Sequence, residues 1–285
     1  MTPSVPSALA LLGGAVTGLT VLAAQEPVQR PDADTLRGGW NAIPTPVYRA
    51  ADDDAVLEAF AGLRVADVSD GMDAVGLQNV GLMDPAIAPL WKDTVEYAHR
   101  VVGIAVTARY VPTNRGPSGP RSAAAFDEWV SQWYSRLSDE PFVPIFRAGS
   151  VLVLEDANGR DVGSIGSNNI LGWKAAGMLA VITDATARDT DEIIAQRVPL
   201  YFRGPGRGIR PGRNQIESVN RPVVCGGVLV IPGDVVVADG DGIIVVPRQH
   251  ALEVARYARA ILEADKAGRR RLYEKLKLPA DRSIQ

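Results

Sequence analysis

Two segments carry residues whose types and spacing could do chemistry. The first, residues 163–177, reads GSIGSNNILGWKAAG. A glycine-containing turn at Gly166 opens onto a helix whose first residues are Ser167, Asn168 and Asn169. Free N–H groups at a helix start attract anions, so this segment could hold a carboxylate or a phosphate. The same residue types also serve as ordinary helix caps. The second segment, residues 180–191, reads AVITDATARDTD. An apolar strand runs out into Asp184, then into Arg188 and Asp189 ahead of a helix. Strand ends are where α/β proteins gather ligand groups. Arg188 can grip a carboxylate with its planar fork. Asp189, an acceptor only, suits a hard cation such as Mg²⁺. The alternative is that Asp189 caps its helix and Arg188 is a surface residue.

The rest of the composition narrows the chemistry. The single cysteine, Cys225, excludes an internal disulfide and a cysteine-based zinc site. His99 and His250 lie far apart and form no metal-ligand pair. Carboxylates and arginines are left to carry any reaction. Thirty Lys+Arg against thirty-three Asp+Glu give a net charge of −3, which argues against binding nucleic acid by charge alone. With 46% apolar and 22% charged residues the 285-residue chain is globular, one large domain or two small ones. Other polar groups carry weaker signals. Arg203, Arg207, Arg210 and Arg213 in a Gly/Pro-rich loop could bind a polyanion, extend an anionic-substrate site, or be solvated. Asp67, Asp70 and Asp73 fit helix capping and solvation, Arg269–Arg271 a helix face, Cys225 an inert core position and His99 a structural or surface one.

These groups need a scaffold, and the pattern supplies alternating helices and strands. Val56, Leu57, Phe60 and Leu63 have helical spacing within Asp54–Leu63, and a second helix is expected over Val65–Gly76, capped by Asp67 or Ser69. Arg100–Val111 reads as a strand of buried type, and residues 112–121 as a loop. Phe126–Leu137 reads as an aromatic-rich amphipathic helix with Trp129 and Trp133 on one face. Ser150–Glu155 is continuously apolar, as expected when both faces of a strand are covered. A helix over Gly166–Gly177, a strand over Leu179–Thr183 and a helix over Thr190–Arg197 follow. Val223–Ile231 is expected as a strand. Val235–Ala238 and Ile243–Val246 flank DGDG, a hairpin signature. A terminal helix is expected over Gln249–Leu278. The layout is an α/β domain with a mixed sheet and outer helices.

The first residues form a separate piece. Residues 1–25 contain no charged side chain, and Ala8–Ala24 are apolar, small or hydroxylated. Three glycines interrupt that run, which is at the short limit for a spanning helix. It suits the apolar core of a signal peptide with a cleavage site near Ala23 or Ala24. The expectation is residues 1–24 as signal peptide, 25–50 as a linker or N-terminal arm, and 51–285 as the domain. The mature chain is then periplasmic or secreted and not inserted in a membrane; a cytoplasmic location is the alternative.

The ordered set GIAVTARYV, SVLVLED, GSNNILGWKAAGMLAVITDATARD and RPVVCGGVLVIPGDVVVADGDGIIVVP resembles the RraA-like family, which includes metal-dependent 4-hydroxy-4-methyl-2-oxoglutarate aldolases. The resemblance covers roughly Asp54–Arg259. It implies a swivelling β/β/α domain assembled as homotrimers or hexamers, with sites between neighbouring subunits. It implies that Gly166, Ser167, Asn168 and Asn169 bind the pyruvate unit through backbone amides. Arg188 would bind the substrate carboxylate, and Asp189 would hold Mg²⁺ or Mn²⁺. The family's aldolases place an acid at the position of Ser167, where it orders water used in proton transfer. Serine is no base at neutral pH without activation. Glu155, Asp156 and Asp161 are the acids that could replace it in space. The segment Phe126–Phe146 is longer than the family minimum.

Two functions of different class follow. One is a divalent-metal-dependent lyase of small 2-oxo acids, releasing pyruvate by aldol cleavage or decarboxylating oxaloacetate. The other is a non-catalytic binding or regulatory protein, since some members of the family inhibit an RNA-degrading endonuclease.

Overall fold

A computed structural model describes residues 31–116, 119, 121–156 and 161–285. The expected signal segment lies outside the described residues. The chain divides into two compact units between Pro44 and Thr45. The first contains a short helix, Ala33–Arg37, capped by Asp32, whose carboxylate accepts from the Thr35 N–H at 2.7 Å. Among the described residues no helix is long and apolar enough to cross a membrane.

The second unit is a mixed α/β domain of the swivelling β/β/α type. Its main sheet is ordered Ala88–Pro89, Leu200–Phe202, Met178–Thr183, Ser150–Glu155, Val101–Pro112, Val235–Asp239 and Gly242–Val246. The four strands from Leu200–Phe202 to Val101–Pro112 run parallel. The long Val101–Pro112 strand changes partner along its length. Its start pairs antiparallel with Val235–Asp239 and its end with Asn214–Val219.

The apolar run at Ser150–Glu155 is explained by two cores. Leu152 and Leu154 enter one with Trp173, Ile170 and Ile193, while Val151 and Val153 enter another with Tyr201, Val236 and Cys225. A strand covered on both faces has no polar side to show, which removes the alternation. Helices Ala50–Phe60, Val65–Ala74 and Ala251–Leu276 bury Val56, Phe60, Val68, Met72, Val254 and Ala258 against Val235, Val237 and Ile244. Gly71 lets two of these helices close up, because a Cβ there would stand 2.8 Å from the Val254 carbonyl oxygen.

Several expectations shift. Arg64, not Asp67 or Ser69, is the N-cap of Val65–Ala74, and buried Asp67 returns to the Arg64 N–H at 3.0 Å and pairs with its guanidinium. Asp70 and Asp73 are exposed. The expected strand Val223–Ile231 is a hairpin of Val223–Cys225 and Val228–Val230. Gly226 and Gly227, at φ 55° and 80°, make the two-residue turn that only left-handed positions allow. The DGDG hairpin joins Val235–Asp239 to Gly242–Val246.

A small three-stranded sheet went unanticipated. Gly163–Ile165, Thr186–Ala187 and Gly204–Pro205 lie parallel, with Thr186–Ala187 central. Gly163 is also tied to the loop beyond Gly204–Pro205, since its N–H donates to the Gly208 carbonyl at 2.8 Å. Strands of two or three residues are too short to show a period of two in sequence.

Candidate functional site

The small sheet explains why the two chemically suggestive segments meet. Gly163–Ile165 leads into the helix Ser167–Ala175, and Thr186–Ala187 leads into Arg188, Asp189 and the helix Thr190–Gln196. The two crossings are stitched by the Arg188 N–H, which donates to the Ile165 carbonyl at 2.8 Å. On the far side the Gly206 N–H donates to the Ala187 carbonyl at 2.7 Å. Gly163 leaves room for Arg188, since a Cβ there would come within 2.7 Å of the Arg188 Cβ.

Asp189 takes a left-handed conformation at φ 58°, one that Asp tolerates better than most residues. It stands at the N-cap position of Thr190–Gln196, yet its side chain makes no capping hydrogen bond there. Its Oδ2 instead accepts from the Ser167 N–H at 3.1 Å and lies 3.4 Å from the Ser167 hydroxyl. The Arg188 Nε stands 3.8 Å from Asp189 Oδ1. Both side chains are 38% exposed. Gly166 is required here for space, its φ of −120° being ordinary. A Cβ on it would come 2.9 Å from Asp189 Oδ2 and 3.6 Å from the Arg188 Nε.

The helix start is open as well. Gly166 is its N-cap and makes no side-chain cap, so Ser167, Asn168 and Asn169 do not act as ordinary caps. Among the described residues no acceptor faces the N–H groups of Asn168 and Asn169. The Asn169 side chain is committed elsewhere, donating to Glu140 Oε1 at 2.7 Å. Gly166, Ser167, Arg188 and Asp189 thus meet at this helix start, and Asn168 and Asn169 are the next two residues of the helix.

The oxygen donors fit a hard cation in one respect. Asp189 offers a partly exposed carboxylate beside a hydroxyl, the donor chemistry that Mg²⁺ and Mn²⁺ accept. Among the described residues no three His, Cys, Asp or Glu side chains converge to hold an ion. A cation here would therefore take one protein carboxylate, with water and substrate oxygens completing its shell.

The other acids are engaged elsewhere. Glu155 accepts from the Arg109 Nε and the Val224 N–H, both at 2.9 Å. Asp156 is buried, accepting from Asn214 Nδ2 at 2.7 Å and from the Ser164 hydroxyl. Asp161 binds the Arg207 N–H and Nε, both at 2.6 Å, and that guanidinium holds its carboxyl below the usual range. Asp184 is buried at the strand end and accepts from the Asp156 N–H at 3.0 Å, burial pushing its carboxyl up. His99 is buried, its Nδ1 accepting from the Asp93 N–H at 3.0 Å, and Cys225 is buried with its thiol pushed well up.

The residue that sequence reasoning missed is Glu140. Its carboxylate takes Asn169 Nδ2 and Trp173 Nε1, each at 2.7 Å, and pairs with the buried Arg210 guanidinium. Arg210 also donates to the Tyr110 hydroxyl at 2.6 Å. The basic loop is accordingly not a free polycation. Arg203 pairs with Asp84 at 2.7 Å, Arg207 with Asp161, and Arg210 is interior. Glu140 lies in Phe126–Phe146, the segment expected from sequence to be longer than the family minimum, and that expectation was the available signal.

The RraA-like (Aldolase/RraA) family model matches residues 65–245. A provisional 4-hydroxy-4-methyl-2-oxoglutarate aldolase of Halalkalibacterium halodurans is 32% identical over 123 residues. That match covers 43% of this chain and 58% of the relative, so the chain spans little more than half of that relative's length. A solved, uncharacterised protein of Pseudomonas syringae pv. tomato is 30% identical with a TM-score of 0.57, covering 79% of this chain and 94% of the other. Streptomyces coelicolor RraAS2, described as an unusual member of the RNase ES inhibitor RraA family, is 22% identical with a TM-score of 0.61. That alignment covers 79% of this chain and 99% of RraAS2, and it speaks for the fold alone.

Proposed function

The chain belongs to the RraA-like family, and from that premise we propose that it is a divalent-metal-dependent carbon–carbon lyase of small 2-oxo acids. One observation carries the reading. Ser167 and Asp189, 22 positions apart, are hydrogen-bonded, which puts an anion-attracting helix start beside a carboxylate and an arginine. Arg188 holds the substrate carboxylate in a two-pronged grip. The N–H groups of Asn168 and Asn169 donate to the 2-oxo acid and stabilise the charge that develops on its oxygen. A bound Mg²⁺ or Mn²⁺ supplies Lewis-acid polarisation of the 2-oxo group.

Ser167 decides between the two reactions of such a site. Aldol cleavage requires a base to take the proton of the substrate's alcohol, and a serine hydroxyl is not that base. Decarboxylation of oxaloacetate needs none at the outset. The electrons of the breaking C–C bond flow into the pyruvate enolate as CO₂ leaves. Oxaloacetate decarboxylation is therefore the expected stronger activity. Purified protein should release pyruvate from oxaloacetate, lose that activity on thorough chelation and regain it with Mg²⁺ or Mn²⁺. Undiminished turnover after chelation contradicts metal dependence.

A second reading, a non-catalytic RraA-like binding protein, is favoured by Ser167 itself. Saturable binding of pyruvate without turnover of oxaloacetate or of 4-hydroxy-4-methyl-2-oxoglutarate would select it.

A further inference from the structure

A cleft of about 1010 Å³ opens between the first turns of the Ala123–Arg136 helix and the loop 207–213. It shares no residue with the Arg188–Asp189 site. Its volume is at the upper end of the roughly 300–1,000 Å³ usual for small-molecule sites. Phe126 and Trp129 form an aromatic wall with ring centroids 5.8 Å apart, and Phe126 is 42% exposed. Gly208 and Gly212 line the facing wall. A Cβ on Gly212 would stand 3.2 Å from Trp129 Cη2, and one on Gly208 would stand 2.7 Å from the Arg213 Nε. Larger residues at either position would press the loop onto those side chains.

Among the described residues three guanidiniums and no carboxylate line the cleft. Arg207 is committed to Asp161. Among the described residues Arg121 has no carboxylate partner, and Arg213 forms no salt bridge, although its charge helps Arg207 hold the Asp161 carboxyl down. Arg121 lies over the Trp129 ring, 4.4 Å from its centroid, and donates to the Gly119 carbonyl at 3.4 Å. Arg213 donates one Nη1 bond to the Ile209 carbonyl at 2.9 Å. A guanidinium has five N–H donors, so both keep donors to offer an anion.

We infer that this cleft binds an aryl carboxylate, its carboxylate held by Arg121 and Arg213 and its ring laid against Phe126 and Trp129. The aromatic wall gives an inorganic anion nothing to contact, while a planar apolar body gains from it. A nucleic-acid strand is a poorer occupant, since the chain as a whole carries a net charge of −3.

Calorimetric titration of the full chain with benzoate and phthalate tests the inference. Saturable binding is expected, several-fold tighter than for cyclohexanecarboxylate and undetectable for inorganic phosphate. Arg121→Gln, at the exposed approach to the helix, should weaken benzoate binding about tenfold or more, and Trp129→Leu should weaken it as well. Circular dichroism verifies that both variants are folded. Arg188→Lys should leave benzoate binding unchanged. No saturable binding of either aryl acid, equal binding of cyclohexanecarboxylate or phosphate, or insensitivity to Arg121→Gln overturns the inference. Loss of binding in Arg188→Lys would place the ligand in the other site. Displacement of benzoate by a single-stranded oligonucleotide would assign the cleft to nucleic acid. Either result also overturns it.

Discussion

Arg188 is placed by its backbone before its charge has any role. Its N–H is fixed to the Ile165 carbonyl, and its side chain passes the open face of Gly163. Replacing it with lysine keeps the charge and loses the planar fork. Arg188→Lys should lower kcat/KM for oxaloacetate on the order of tenfold or more, since ~1.4 kcal/mol suffices. Wild-type kinetics would remove Arg188 from the site. Ser167 poses the opposite test. Its hydroxyl lies 3.4 Å from Asp189 Oδ2, so Ser167→Asp would set two carboxylates side by side. Like charges at that range repel unless a cation stands between them. The helix start beneath favours added negative charge. The variant should gain aldol cleavage, for which acid–base help is typically worth ~10²–10⁴-fold. Its melting temperature should also become more dependent on Mg²⁺ than that of the wild type. Strong wild-type aldolase activity that falls in the variant would show that another group already moves the proton.

At the scale of elements, the site depends on a carboxylate that faces no substrate. Glu140 ties the segment after the Ala123–Arg136 helix to Asn169, Trp173 and Arg210. Arg210 is almost wholly buried, and leaving such a charge unpaired costs about 3–5 kcal/mol. Glu140→Gln should lower the melting temperature markedly and raise KM for 2-oxo acids more than it lowers kcat. A change in stability with KM untouched would detach Glu140 from the binding loop. Much of this scaffold was legible from residue order. The continuously apolar Ser150–Glu155, the DGDG hairpin and the helix opening at Gly166 each carry a local signal. What was not legible has a physical reason. Gly226–Gly227 sits within an apolar run that reads as one strand until both glycines are known to be left-handed. The strands of the small sheet owe their existence to partners across the fold rather than to their own residues. The partner of Asp189 is the N–H of Ser167, and no side-chain pattern announces a backbone donor.

For the whole molecule, two expectations carried by the family resemblance and the first residues remain as proposals with direct tests. The chain should assemble as a homotrimer or hexamer, and light scattering that returns a monomer at working concentration would contradict this. The protein should be exported with a mature start near Ala24 or Gln25. N-terminal sequencing of protein from its native host would refute this by finding an intact Met1 on a cytoplasmic chain. The small sheet and the loop that follows it have a further consequence. The Arg188 amide is sealed against Ile165, the Gly206 amide against Ala187 and the Gly163 amide against Gly208. None of the three can trade its proton for solvent deuterium unless these bonds part. Their exchange rates therefore form a clock for the opening of this region, readable with no substrate present. A ligand that grips Arg188 should slow all three together, whereas an occupant of the aromatic cleft should slow Gly163 first.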